Sequence, residues 1–354
     1  MDVSPVDVLI FAALAPLLGV LLFWFIQILF IESYKYYLSK IKRKHMPLCR
    51  FTNFTGILFQ TICHALGYTA TMSGISHFHV NIHYGKVKPK KEKKGIFEWI
   101  SNSFLFIGPF FLPAALLLLC LIFLLKNTSF NISTGTYYSF ASGIQTFGEN
   151  LYIFSEGFFS FLSSIDLAHP GHLGFLILLI FLGMGMRPSY VGEDKRRKVD
   201  MIYDLANIKA HIFQKPLYLI LLFLFSYIFF YISFLLKQNW YMALFSILGW
   251  LSVIAIASLF IAHMIVFLIK ITDEIPGRWK FLPYIILPTS YILIRLIFYF
   301  YPANFDKTAS LLIMIFSTIT VTFLLSYYKT NKFKTKTKMK QMKVEDGPRR
   351  IIKK

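Results

Sequence analysis

Charged residues are scarce in this chain. Asp, Glu, Lys and Arg make up 15% of its 354 residues, whereas a soluble globular chain has about 25%. Hydrophobic residues reach 56%, and several apolar segments are as long as the roughly 20 residues that cross a bilayer core. A soluble fold could not bury so much apolar surface. The composition therefore predicts an all-α polytopic membrane protein.

Acidic residues are the scarcer of the two charges, with 17 against 37 basic residues and a net charge of +20. The basic residues cluster between apolar segments instead of spreading along the chain, at Lys35–Arg50, Lys86–Lys94, Lys195–Lys198 and Lys329–Lys354. Clusters beside membrane spans follow the positive-inside rule and attract anionic lipid headgroups. We therefore expect anionic lipids, and no nucleic acid, as partners of the basic loops and the tail.

Cysteine is also rare, with Cys49, Cys63 and Cys120 only. All three are predicted within the membrane or on its inner face, so no extracytoplasmic disulfide is expected. Cys63 directly precedes His64, but neighbours on a helix point about 100° apart, which argues against a nucleophile and its base. The chain also lacks a phosphate-binding loop, a dinucleotide-binding glycine pattern and a paired-carboxylate motif.

The apolar segments predict seven crossings, with the N-terminus outside and the C-terminus in the cytoplasm. The outer loop Asn127–Asn150 agrees with this orientation because it holds glycosylation sequons at Asn127 and Asn131. The predicted crossings are Val8–Ile31, Phe104–Leu125, Leu173–Met186, Leu217–Leu236, Tyr241–Ile269, Phe281–Phe300 and Ala309–Tyr327.

Four regions follow along the chain. Residues 1–50 hold the first crossing and a basic cytoplasmic loop, and residues 51–208 hold a central core with the outer loop. Residues 209–328 form a four-helix bundle, and residues 329–354 form a basic, disordered cytoplasmic tail.

The segment Phe51–Val80 is apolar enough to span, yet basic clusters lie on both of its sides. We expect it to enter the membrane and return, as a helix from about Asn53 to Met72 followed by a strand-like hairpin. The stretch "SHFHVNIHYGKV" supports the hairpin, since His77, His79 and His83 alternate with apolar residues at period two.

The order of these motifs resembles that of membrane-embedded zinc metallopeptidases of the site-2-protease type, whose helix reads "T-I-x-H-E-L-x-H-A". Here Thr61–Tyr68 reads "TICHALGY", and the hairpin motif follows at "YGKVKP". "FLFIGPFFLP" (Phe104–Pro113) is similar to the start of the next helix in that family, and "LILLIFLGMGMRPS" (Leu176–Ser189) to a segment that ends in "H-M-x-P-S". The resemblance covers about Phe51 to Asp200 and implies a peptidase-like membrane core.

Three positions depart from the family motif. Ala65 stands in place of the catalytic Glu, Tyr68 in place of the second His, and Gly185 in place of the His of the later segment. In a working site, two His one turn apart hold zinc and the Glu acts as general base. Alanine accepts no proton, and a phenol that titrates near pH 10 is a poor ligand. The resemblance therefore implies a pseudoprotease that binds or scaffolds membrane-protein segments, with no catalytic residues.

Two alternatives stay open. In the first, His64 with His77, His79 or His83 rebuilds a zinc site, and the protein is an active metalloprotease with noncanonical ligands. A second cluster, Asp166, His169 and His172, is predicted on the opposite side of the membrane. In the other alternative, the protein is a transporter, a lipid-handling protein or a subunit of a larger membrane complex. Arg295, a charge within a predicted crossing, is relevant to that alternative; we expect it to snorkel to the interface or to pair with Asp306.

Overall fold

A computed structural model of the chain describes residues 6–82, 84–125, 139–186, 209–210, 213, 215–275 and 277–345. A short π-helical turn, Asp7–Phe11, leads into α1. The elements that follow are α1 (Ala12–Ile41), α2 (Met46–Ala70), β1 (Ile75–Val80), β2 (Gly85–Pro89), α3 (Ile96–Leu124), α4 (Phe140–Ser163), α5 (Pro170–Gly185), α6 (Pro216–Leu235), α7 (Trp240–Thr272), α8 (Leu282–Phe300) and α9 (Asp306–Glu345).

Among the described residues, six helical segments are long and apolar enough to cross a membrane, so the prediction of an all-α multi-pass membrane protein is confirmed. They are Ala12–Ile41, Ile96–Leu124, Pro216–Leu235, Trp240–Thr272, Gly277–Phe300 and Asp306–Tyr328. The remaining predicted crossing, Leu173–Met186, corresponds to the apolar helix α5, which has 16 residues. At about 1.5 Å per residue it is about 24 Å long, which is shorter than the hydrocarbon core of about 30 Å.

The first helix is longer than the crossing predicted for it. Helix α1 does not end near Ile31 but continues to Ile41, so Lys35 lies in the helix and not in a cytoplasmic loop. Lys35 is buried, and its Nζ lies 3.2 Å from Oε1 of Glu32, one turn earlier. The ion pair compensates a charge that could not otherwise be buried. The loop that follows is also short, because α2 already begins at Met46.

The outer loop was also predicted wrongly in part, because α4 begins at Phe140 within Asn127–Asn150. Helix α9 continues to Glu345, where a disordered tail was expected. The sequons at Asn127 and Asn131, the Lys195–Lys198 cluster and His83 lie outside the described residues.

The chain forms two compact units. The first comprises Met1–Leu162 with Asp166–Met264, and the second comprises Ser163–Ile165 with Ile265–Lys354. These units do not test the division into four regions made from the sequence, which stays a prediction.

In the first unit, α1 and α7 run parallel to each other. Near their N-terminal ends, the Tyr241 hydroxyl donates to the Ala13 carbonyl over 2.8 Å. Near their C-terminal ends, the rings of Tyr37 and His263 lie 4.8 Å apart. The chain segment before α1 is tied to α4, because the Phe140 amide donates to Asp7 Oδ1 over 2.9 Å.

In the second unit, α8 and α9 pack along each other as a helical hairpin. Arg295 of α8 pairs with Asp306, the first residue of α9, and both side chains are about a quarter exposed. The carboxylate of Asp306 also accepts from the Lys307 amide over 2.7 Å. The pair therefore fixes the turn between the two helices.

Candidate functional site

Helix α2 carries the motif positions, and its end is fixed by backbone conformation. The Thr71 side chain donates to the Gly67 carbonyl over 2.9 Å, which satisfies an acceptor of the last turn. Met72 and Gly74 then adopt positive φ angles of 53° and 65°, which turn the chain out of the helix. The antiparallel hairpin β1–β2 follows directly and packs back against α2.

One face of α2 packs closely against α3 through glycines. A Cβ built on Gly67 would lie 2.7 Å from the Ser101 carbonyl oxygen, and one built on Gly108 would lie 2.8 Å from Cys63 Sγ. Since residue numbers rise along α3 as they fall along α2, the two helices are antiparallel. The glycines allow the two backbones to approach as closely as is common for helices in membranes.

The end of α5 closes the same side of α2. A Cβ built on Gly185 would lie 3.0 Å from Thr55 Cβ and 3.1 Å from ring atoms of Phe59. A side chain at the motif position Gly185 would therefore require Thr55 or Phe59 to shift by a few tenths of an ångström. Gly185 also lies two turns along α2 from His64, so this position and His64 are not brought together.

The opposite face of α2 lies beneath the hairpin. Gly85, the first residue of β2, packs directly on the Thr61 side chain, and its Cβ would lie 3.0 Å from Ile57 Cγ2. Ile57, Thr61, His64 and Tyr68 recur at intervals of three and four residues and so share this face. The hairpin therefore reaches back along α2 over the motif positions.

His64 and Tyr68 form a ring pair where a zinc peptidase would have two ligands. Their ring centroids lie 4.4 Å apart with an interplanar angle of 32°. His64 Nε2 is buried and has no hydrogen-bond partner among the described residues. Ala65 is buried beside them, at 8% exposure. The pair fills the space along the helix where the second ligand would point.

The other candidate metal ligands lie on the hairpin. His77 pairs with Lys88 and His79 with Lys86 across the two strands, and the His77 and His79 rings stack 6.2 Å apart. Both histidines are exposed. Within the described ranges, no three His, Cys, Asp or Glu side chains come together as metal ligands would. His83 lies outside those ranges, so the zinc hypothesis stays a prediction.

The second cluster, Asp166, His169 and His172, forms the N-terminal cap of α5. His169 Nδ1 accepts from the His172 amide over 3.4 Å, and the Asp166 amide donates to His172 Nδ1 over 3.1 Å. Asp166 Oδ1 in turn accepts from the Ala168 amide over 3.0 Å. These side chains satisfy backbone groups at the start of the helix, which accounts for their spacing.

Sequence reasoning missed a set of buried polar groups on α1. Gln27 is fully buried, and neither atom of its side-chain amide has a hydrogen-bond partner in the part of the chain that is described. The ring of Trp24, one turn earlier, packs edge-to-face against that of Phe110 of α3, with centroids 5.6 Å apart. With Glu32 and Lys35, these residues give α1 a partly polar buried face. A glutamine in the middle of an apolar run was the signal for it.

Comparisons of the chain with family models, with curated proteins and with solved structures give no significant match. The fold and the geometry of α2 define an all-α multi-pass membrane protein with a helix–hairpin element.

Proposed function

We propose that the protein is a non-catalytic relative of intramembrane zinc metallopeptidases that binds segments of membrane proteins. The observation that carries this proposal is the His64–Tyr68 ring pair, which occupies the positions of the two histidine ligands in the motif the chain resembles. Ala65 cannot act as the general base between them. Gly185 has no side chain to supply a ligand, and its position is tightly packed against Thr55 and Phe59.

The binding surface in this proposal is the hairpin over α2. Ile75, Phe78, Ile82 and Tyr84 are each between 41% and 52% exposed. A two-stranded hairpin is at best marginally stable alone, and this one is supported by α2. It therefore presents exposed apolar side chains and strand edges on a fixed base, and an extended client segment could pair with such an edge.

The alternative function is an active metalloprotease with unusual ligands, and the buried Nε2 of His64 favours it. A buried imidazole nitrogen without a partner is costly, and a metal ion would satisfy it. In that case His77, His79 or His83 would supply the other ligands, since imidazole is a common zinc ligand.

The experiment that separates the two functions uses a photo-crosslinking residue at Phe78, with Leu119 of α3 as the control position. Leu119 is similarly exposed, at 53%, but lies away from the hairpin. A binder crosslinks to full-length membrane proteins from Phe78 only. Zinc content and client size are then measured for the wild type and for His64→Ala. Stoichiometric zinc and client cleavage that are both lost in His64→Ala would instead establish the protease.

The basic segments support a proposal for sidedness. We propose that the tail after Tyr328 lies in the cytoplasm, where its lysines contact anionic lipid headgroups, as do those of Lys86–Lys94. For the N-terminus, charge placement alone predicts the outside. The parallel run of α1 and α7 supports this, because α8 and α9, if each crosses, return the chain to the side that α1 reaches.

The hairpin leaves the chain at the same end of α2, since β1 runs back along α2 and β2 returns to the end where α3 begins. Because α2 is antiparallel to α3, it begins and ends at opposite ends of α3, and if it crosses with α3 the hairpin alone enters the membrane and returns. Helix α2 is not among the six apolar candidate spans. Packing against α3, α5 and the hairpin supports a crossing all the same, because its polar groups face protein. Labelling of cysteines placed at residues 3 and 350 in sealed vesicles tests the proposed sidedness, and labelling on the same side would contradict it.

A further inference from the structure

The outer face of α4 carries carboxylates and large apolar side chains along one stripe. Gln145, Glu149, Tyr152, Glu156 and Phe159 recur at intervals of four and three residues, and all five are exposed. Residues so spaced share one face of a helix, over about 21 Å of its length. The exposed side chains of Ile144 and Ile153 flank the stripe, with 45% and 47% exposure.

The opposite face fixes α4 against helices that cross the membrane. Phe147 packs on Gly19 of α1, and a Cβ on Gly249 of α7 would lie 2.6 Å from Leu151. Asn150 Nδ2 donates to Ser246 Oγ over 3.0 Å, and the backbone carbonyl of Asn150 accepts from Trp250 Nε1 over 3.1 Å. Both α1 and α7 are candidate membrane spans. The middle of α4 is therefore held against two helices that are candidate membrane spans.

Neither lipid nor water alone suits the exposed stripe. Ionised Glu149 and Glu156 are costly against lipid, while Tyr152 and Phe159, at 68% and 51% exposure, are large apolar surfaces in water. The two kinds of residue alternate along the same line, so rotating the helix cannot separate them. Aromatic side chains are enriched at protein interfaces, and the two carboxylates beside them call for a partner of opposite charge.

We propose that this stripe is a docking surface for a membrane-embedded helix of another protein that carries two Lys or Arg residues seven positions apart. Glu149 and Glu156 are themselves seven positions apart, so two cations at that spacing meet both carboxylates. Tyr152 and Phe159 lie between and beyond them and offer ring faces to the same cations. This surface is separate from the hairpin over α2, and the proposal does not depend on the function proposed there.

The test uses purified protein in lipid nanodiscs with a photo-crosslinking residue at Tyr152. Three synthetic transmembrane peptides are compared on one Leu/Ala host sequence, with Lys, Glu or Leu at two positions seven residues apart. The control crosslinking position is Phe225 of α6, which is 69% exposed and lies on an apolar helix without acids. The control variant combines Glu149→Gln with Glu156→Gln, which keeps the size of both side chains.

We expect the Lys peptide to crosslink at Tyr152 at least about tenfold more than the Leu and Glu peptides. The double variant should remove this preference, and a tenfold loss corresponds to about 1.4 kcal/mol of binding free energy. Crosslinking at Phe225 should not distinguish the peptides. Equal crosslinking of all three peptides at Tyr152 would overturn the proposal, as would a Lys preference that survives in the double variant. A crosslinked product of twice the chain mass would show that a second copy covers the stripe, which also overturns it.

Discussion

Gly185 at the end of α5 lies against Thr55 of α2, and a Cβ on the glycine would come within 3.0 Å of the threonine Cβ. Thr55 is itself fully buried, and its hydroxyl donates to the Thr52 carbonyl over 2.9 Å. Rotation of the Thr55 side chain does not move its Cβ, so only a shift of the backbone would relieve the contact. The contact links the third altered motif position to packing, independently of any chemistry at His64.

Gly185→Ala should destabilise the protein for this reason. In an unobstructed helix a Gly-to-Ala change stabilises by about 0.5–1 kcal/mol, whereas overpacking a core costs about 1–3 kcal/mol. Gly174→Ala in the same helix is the matched control, because a Cβ there meets nothing within 4 Å. Thermal unfolding in detergent should show a lower midpoint for Gly185→Ala and an unchanged or higher one for Gly174→Ala. Equal midpoints would contradict the close contact.

Gly85→Ala should loosen the hairpin from α2, since the new methyl group would meet the Thr61 side chain. Thr61→Ala removes the hydroxyl in the way, so the double variant should recover part of the loss. Residues in direct contact commonly couple by about 0.5–3 kcal/mol. Unfolding midpoints of the two single variants and the double variant give the coupling. Simple additivity would mean that the strand does not press on Thr61.

Gln27→Leu should stabilise the protein. The amide is fully buried without a partner among the described residues, and an unsatisfied buried polar group costs about 1–3 kcal/mol. Gln238→Leu, at an exposed position between α6 and α7, is the control and should change little. Destabilisation by Gln27→Leu would instead indicate that a water molecule or a bound polar molecule satisfies this amide.

The pair of Arg295 and Asp306 should contribute modestly to the second unit, because both side chains are about a quarter exposed. A double-mutant cycle with Arg295→Met and Asp306→Asn should give a coupling of about 0.5–1 kcal/mol. The cycle is measured by unfolding at low salt and again at high salt. A coupling of zero at low salt would show that the pair does not hold the turn.

Sequence patterns predicted the membrane class, the positions of the apolar helices and the helix–hairpin unit, since these follow from long apolar runs and from period-two alternation. They failed at the end of α1 because Lys35 was assigned to a loop by its charge, although Glu32 lies one turn away. They also failed at α4, where Glu149 and Glu156 lower the hydropathy of a helix that is half buried. The charge of a residue alone predicts exposure, whereas a partner of opposite charge allows burial, as Glu32 does for Lys35.

The site was less accessible to sequence reasoning. The spacing of His64 and Tyr68 indicated that they share a helix face, and the resemblance to the peptidase motif marked Ala65, Tyr68 and Gly185 as departures from it. The contact between Gly185 and Thr55 depends on how α5 crosses α2, over 100 residues away in the chain, and no local pattern contains it. Asp166, His169 and His172 looked like ligands because capping a helix uses the same polar residue types.

The dependence of α2 on its neighbours has a consequence for synthesis of the chain. Helix α2 leaves the ribosome before α3 and α5, yet these later helices cover its polar and glycine-rich face. Until α3 and α5 have been made, the hydropathy of α2 alone does not fix its position in the membrane. Helix α2 therefore reaches its final position only after Gly185 has been synthesised. Cys63 lies against Gly108 of α3, so ribosome-bound intermediates that end before α3 should expose Cys63 to thiol reagents, while those that include α3 should protect this thiol.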